Sequence, residues 1–151
     1  MSKKKLNDRG KEKLSIVKIG GNIVDNPEAL ESFLIDFNSL EGLKILVHGG
    51  GAIVSKMAKQ LGIEIKKIDG RRITDAKTLK LVTMIYAGLI NKNIVASLQK
   101  IDCDAIGLSG ADANSISATR RSPKPIDFGY VGDPDPKNVN VKFISQLLKI
   151  N

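Results

Sequence analysis

A chain of 151 residues, 42% hydrophobic and 26% charged, can fill one globular core but is too short for two independent domains. A single cysteine (Cys103) and a single histidine (His48) exclude an internal disulfide framework and a cysteine-built zinc site, and the acids are scattered, so no metal held by side chains is expected. The net charge of +8 invites nucleic acid, but six basic residues (Lys3, Lys4, Lys5, Arg9, Lys11, Lys13) precede the first apolar run and aromatics are only 4% of the chain, so no nucleic-acid partner is expected.

Residues 1–13 read as a basic, flexible tail with no apolar segment behind its lysines to form a secretory signal. The longest nearly apolar stretch, Leu81 to Ile90, is ten residues against the ~20 that a membrane span requires, so a cytoplasmic protein without a membrane partner is expected. The run 14–21, LSIVKIGG, is a strand ending in two glycines. Residues 26–42 then place apolar side chains at 30, 33, 34 and 37, a helical spacing, with Asn26 as cap, Pro27 at the first helical position and Glu28 at the positive end. Residues 43–51, LKILVHGGG, repeat the scheme of strand and glycines, and the next helix has its apolar face at 53, 54, 57, 58 and 61.

An extended stretch closes on Asp69-Gly70, and a long helix is predicted from about Asp75 to Lys100 with a wide stripe at 79, 82, 85, 86, 89, 90, 94 and 98. Residues 102–110 read as another strand, with Cys103 buried in it. The proline-rich segment that follows suggests a hairpin-like excursion from 115–118 and 128–131, and a last helix runs from Asn138 to about Lys149. Apolar strands alternating with amphipathic helices predict an α/β fold: a three-layer α/β/α open, mainly parallel sheet with a small β-hairpin excursion.

Ligands of such sheets bind beyond the carboxyl ends of the strands, where helix starts offer free N–H groups. Both glycine sets fall there, so the loop at 49–51 is expected to surround an oxyanion; a tight turn without a ligand is the plainer alternative. Lys18 lies inside the apolar run Ile16 to Ile19. It either meets a charged partner near the Gly20 backbone, where it could neutralise a transferring phosphoryl group, or snorkels from an edge strand. Arg71 and Arg72 supply guanidinium forks suited to a carboxylate, or form an exposed pair. His48 either orients the glycine loop or is a satisfied structural residue. The chain lacks a G-x-x-x-x-G-K-[ST] phosphate loop, and Val54 stands where the dinucleotide fingerprint needs its third glycine.

The motifs VKIGGN (17–22), LVHGGG (46–51), DGRRIT (69–74) and GLSGADANSI (107–116), in that order, resemble acetylglutamate kinase, of the amino-acid kinase fold, from about Leu14 to the end of the chain. The resemblance implies ATP-dependent phosphorylation, with Mg2+, of the γ-carboxylate of N-acetyl-L-glutamate, a step of arginine biosynthesis. By motif matching, Lys18 stabilises the transferring phosphoryl group and the Gly20 and Gly21 backbone contacts it. Gly50 and Gly51 hold the reacting carboxylate, and Arg72 pairs with the substrate's α-carboxylate. The helix near 75–100 matches the element through which such kinases form homodimers.

The family's chains are longer, and their carboxyl-terminal half supplies the nucleotide pocket. Residues 14–151 therefore look like the amino-terminal, acylglutamate-binding domain, with the nucleotide-binding domain absent and negligible turnover expected of this polypeptide alone. A non-catalytic module that binds an acidic metabolite and acts through a partner is the alternative.

Overall fold

The structure, a computed structural model, describes residues 13–150. The expected basic tail, apart from Lys13, lies outside the described residues. Strand β1 (Leu14–Ile19) leads through Gly20 into the single-turn helix α1 (Gly21–Val24) and then α2 (Pro27–Asn38). The start of α2 follows from its sequence: the Asn26 side-chain oxygen accepts from the amides of Glu28 and Ala29, and Pro27 takes the first helical position, where no amide is needed. Asn26→Ala is expected to cost about 1 kcal/mol of stability, read as a lower urea midpoint at an unchanged slope.

Strand β2 (Leu43–His48) pairs with β1 in parallel, in unbroken register from Leu14 opposite Leu43 to Ile19 opposite His48. Helix α3 (Gly51–Gln60) follows at once. Strand residues alternate between faces. Val17, Ile19 and Leu46 enter the core with Leu34 and Phe37 of α2 and Val54 and Ala58 of α3, while Leu14, Ile16 and Val47 remain exposed. Leu61, expected on the buried face of α3, is exposed just beyond the helix end.

Strands β3 (Lys67–Ile68) and β4 (Arg71–Arg72) form a short antiparallel hairpin. Its two turn residues, Asp69 and Gly70, both have positive φ (49° and 75°), the conformation that an Asp-Gly pair adopts in tight hairpins. Asp75 then caps α4 (Ala76–Thr83) by accepting from the Thr78 amide, which holds its carboxyl below the usual carboxylate range. The predicted long helix is present but composite: α4, a π-helical segment (Met84–Ile90) and α5 (Asn91–Gln99). By length and composition this helix could cross a membrane. One face of it packs into the core, where Thr78, Leu81, Ile85, Ile90, Ile94 and Leu98 are buried.

The strand expected at 102–110 is not formed; among the described residues this stretch joins no ladder. Its carbonyls meet side chains of α5 instead: Ala105 accepts from Gln99 Nε2 (3.3 Å), Gly107 from Lys92 Nζ (2.9 Å) and Leu108 from Asn91 Nδ2 (3.4 Å). Cys103 is buried as expected, but in this irregular segment. Asp112, in the turn after it, accepts from the amide and hydroxyl of Ser109, which lowers its pKa.

The excursion is an antiparallel ribbon of β5 (Ile116–Arg120) and β6 (Gly132–Val139), its return strand falling later than 128–131. Residue Gly129 instead bridges to Thr74. The last helix, α6 (Val141–Leu147), is capped by Asn140 and is shorter than predicted. The whole is an α/β fold with an open parallel sheet and a hairpin excursion.

Candidate oxyanion site at the glycine turns

Because Ile19 lies opposite His48, the two glycine turns leave the sheet side by side, and the Gly49 amide donates to Ile19 O (3.3 Å). Gly20 precedes α1 and Gly50 precedes α3, and neither helix start has a side-chain cap or an acidic residue in its first turn. The first amides of α3 therefore have no partner within the helix, and the positive end of its dipole is left uncompensated. Such a helix start favours an anion.

Gly50 is buried and has φ 157°. A Cβ there would overlap Cδ1 of Ile90 and come within 3.3 Å of the Tyr86 ring, so the π segment walls the loop from behind. Gly49 faces open space, with nothing within 4 Å of a Cβ placed on it.

Lys18 is exposed, on the sheet face away from the core, and its Nζ reaches to 3.9 Å from where a Cβ on Gly20 would lie. No burial penalty demands a partner for it, which agrees with the alternative of a lysine reaching out from the strand. The ion pairs among the described residues, Lys100–Glu31, Arg120–Asp127 and Arg121–Asp133, do not include it.

Adjacent residues of β4 point to opposite sides. Arg72 turns toward the loop: its Nη2 donates to Gly51 O (3.4 Å), while its Nε is buried without a partner among the described residues. Arg71 instead lines a cavity of about 580 Å3 with Arg121, Phe128 and Asp133. Within that cavity the Arg121 guanidinium holds the Asp133 carboxyl below its usual range.

His48 Nδ1 lies 3.1 Å from Gly49 O, a contact that suits an orienting and a satisfied structural histidine alike. The structure thus brings Lys18, Gly20, Gly21, Gly50, Gly51 and Arg72 to the same end of the fold and sets Arg71 apart. Tyr86 and Ile90, which wall the loop, enter the sequence analysis only as part of a helix stripe, and Asn91, which meets His48, does not enter it. Among the described residues no group of three or more His, Cys, Asp or Glu side chains could hold a metal ion.

Two parallel strands end in adjacent glycine turns with a strand lysine and a hairpin arginine beside them, an arrangement of the α/β class whose helix starts suit an oxyanion. The chain belongs to the amino acid kinase family, whose sequence profile matches residues 13–149.

Acetylglutamate kinase of Cytophaga hutchinsonii is 63% identical over 123 residues, covering 81% of this chain and 47% of that protein. Acetylglutamate kinase of Phocaeicola vulgatus is 53% identical over 139 residues, 92% of this chain and 53% of that protein. The chain therefore spans about half the length of these curated relatives.

Among solved structures, smu.665 from Streptococcus mutans UA159 shares the fold at a TM-score of 0.75 and 24% identity, covering 91% of this chain and 55% of that one. N-acetylglutamate synthase from Neisseria gonorrhoeae, complexed with coenzyme A and N-acetyl-glutamate, does so at 0.68 and 19%, covering 91% and 31%.

Proposed function

We propose that residues 14–151 are the acylglutamate-binding domain of an enzyme that transfers the γ-phosphoryl group of ATP to the γ-carboxylate of N-acetyl-L-glutamate, in arginine biosynthesis. The observation that carries this reading is the register of Ile19 with His48, which sets both glycine turns at one end of the sheet. The names of the relatives support the choice of substrate.

In the reaction a carboxylate oxygen attacks the γ-phosphorus, the bond to the bridging oxygen of ADP breaks, and an acyl phosphate forms. The Gly50 and Gly51 backbone at the start of α3 receives the reacting carboxylate. Arg72, whose Nε has a proton to donate, takes the α-carboxylate in a forked contact. Lys18, with the Gly20 and Gly21 backbone, faces the phosphoryl group and offsets the charge that spreads over its oxygens. ATP enters as its Mg2+ complex. A homodimer is assigned to the long helix, where Leu79, Met84 and Leu89 are exposed, and the cytoplasm is the assigned compartment.

Calorimetric titration of the chain with acetylglutamate tests the reading. Wild type is expected to bind, and Arg72→Lys, which keeps the charge but loses the fork, is expected to bind about ten- to a hundredfold more weakly. A wild-type titration without heat, confirmed by an unchanged NMR spectrum, rejects the proposal.

A further inference from the structure

The π segment does more than wall the glycine loop. Tyr86 and Ile90 meet Gly50, and the next residue, Asn91, reaches His48. In an α-helix, residues 86 and 91 would point about 140° apart. Hydrogen bonds that span five residues bring positions i and i+5 toward one line, and so both side chains toward the same loop.

Asn91 is 7% exposed, and its Nδ2 lies 3.4 Å from Leu108 O and 3.4 Å from His48 Nε2. Its Oδ1 is buried without a partner among the described residues. A Cβ on Gly107 would overlap that oxygen, so the glycine at 107 leaves room for the amide.

The donors and acceptors then fix one another. A carbonyl can only accept, so Leu108 O selects the NH2 end of Asn91. The second hydrogen of that group points to His48 Nε2, which must therefore present a lone pair. The same pairing calls for the ring proton on Nδ1, 3.1 Å from Gly49 O, which again can only accept.

We propose that Asn91 is a positioning residue: its amide selects the Nδ1–H tautomer of His48, and the ring in turn fastens the Gly49 carbonyl and fixes the shape of the loop at 49–51. The identity of the ligand that benefits rests on the acylglutamate reading; the hydrogen-bond chain itself does not.

The chain has one histidine, so its long-range 1H–15N correlations report this tautomer without assignment. In wild type the proton is expected on Nδ1. In Asn91→Leu, close in shape but without a donor, a large share of the ring is expected to carry it on Nε2, and acetylglutamate affinity to fall about tenfold with the circular dichroism unchanged. Asn91→Asp, a carboxylate acceptor, is expected to draw the proton to Nε2 outright, and it carries the test if the leucine variant does not fold.

A wild-type ring protonated on Nε2, or variants that keep the wild-type pattern whatever their stability, overturns the proposal. A wild type that shows the Nδ1–H form but binds no acetylglutamate removes the substrate assignment and leaves the positioning role standing.

Discussion

Gly50→Ala is expected to abolish measurable acetylglutamate binding and to lower the stability of the chain by about 1–3 kcal/mol. Two causes act together. The new methyl group would occupy the space of Ile90 Cδ1, a side chain only 4% exposed and enclosed by the core, so it cannot swing aside into solvent. The backbone at φ 157° also lies where residues with a Cβ are rarely found. Either the loop moves away from the π segment or the segment yields, and both displace the amides at the start of α3. Gly49→Ala is the control. It meets nothing within 4 Å and is expected to leave stability within about 0.5 kcal/mol of wild type. Urea unfolding and calorimetry of the pair decide the matter, and equal behaviour of the two variants would remove Ile90 as the cause.

Lys18→Ala is expected to lower kcat about 10²- to 10³-fold while changing the KM for acetylglutamate by no more than a few fold. The suitable assay joins residues 1–151 to the carboxyl-terminal half of the Cytophaga hutchinsonii relative and follows ADP release. The ammonium is exposed, so its removal opens no cavity and strands no buried charge, and the folded state should be affected little. It stands beside Gly20, where the phosphoryl group is assigned, so the loss should fall on the step in which negative charge is redistributed there. A loss expressed in KM alone would make Lys18 a binding residue, and an unchanged kcat would remove it from the reaction.

Much of this was legible in the chain. The runs ending at Ile19 and His48, the cap at Asn26, the Asp69-Gly70 turn and the glycines after each strand are local signals, set by neighbours along the sequence, and the structure honours them. The long helix shows where such reading stops. A single α-helical stripe selects 79, 82, 85, 86, 89, 90, 94 and 98, yet Leu79 and Leu89 are exposed while Leu81 is buried.

The buried apolar series runs 81, 85, 90, 94, 98, and its one step of five is the mark of the π turn. Only tertiary packing chooses between the two patterns, so Ile90 and Asn91 could not be read as supports of the loop. Residues 102–110 failed as a strand for a related reason. Apolar character permits a strand, but a ladder needs a neighbour, and the side chains of α5 take these carbonyls first. For Lys18 the apolar neighbours leave a paired and a snorkelling lysine both open, and alternation, which carries it to the opposite face from Ile19, accounts for its exposure.

That alternation ties the rim at the glycine turns to the interior. Ile19, 2% exposed, and Lys18 are consecutive, so sliding β1 by a single residue against its neighbour would bury an ammonium and evict an isoleucine in the same movement. The cost of such a slip falls on the core, and it is the core that keeps the lysine aimed outward. Substitutions of the Ile19 or Leu46 side chain should therefore reach the glycine turns from the core side, by changing the alignment of the strands.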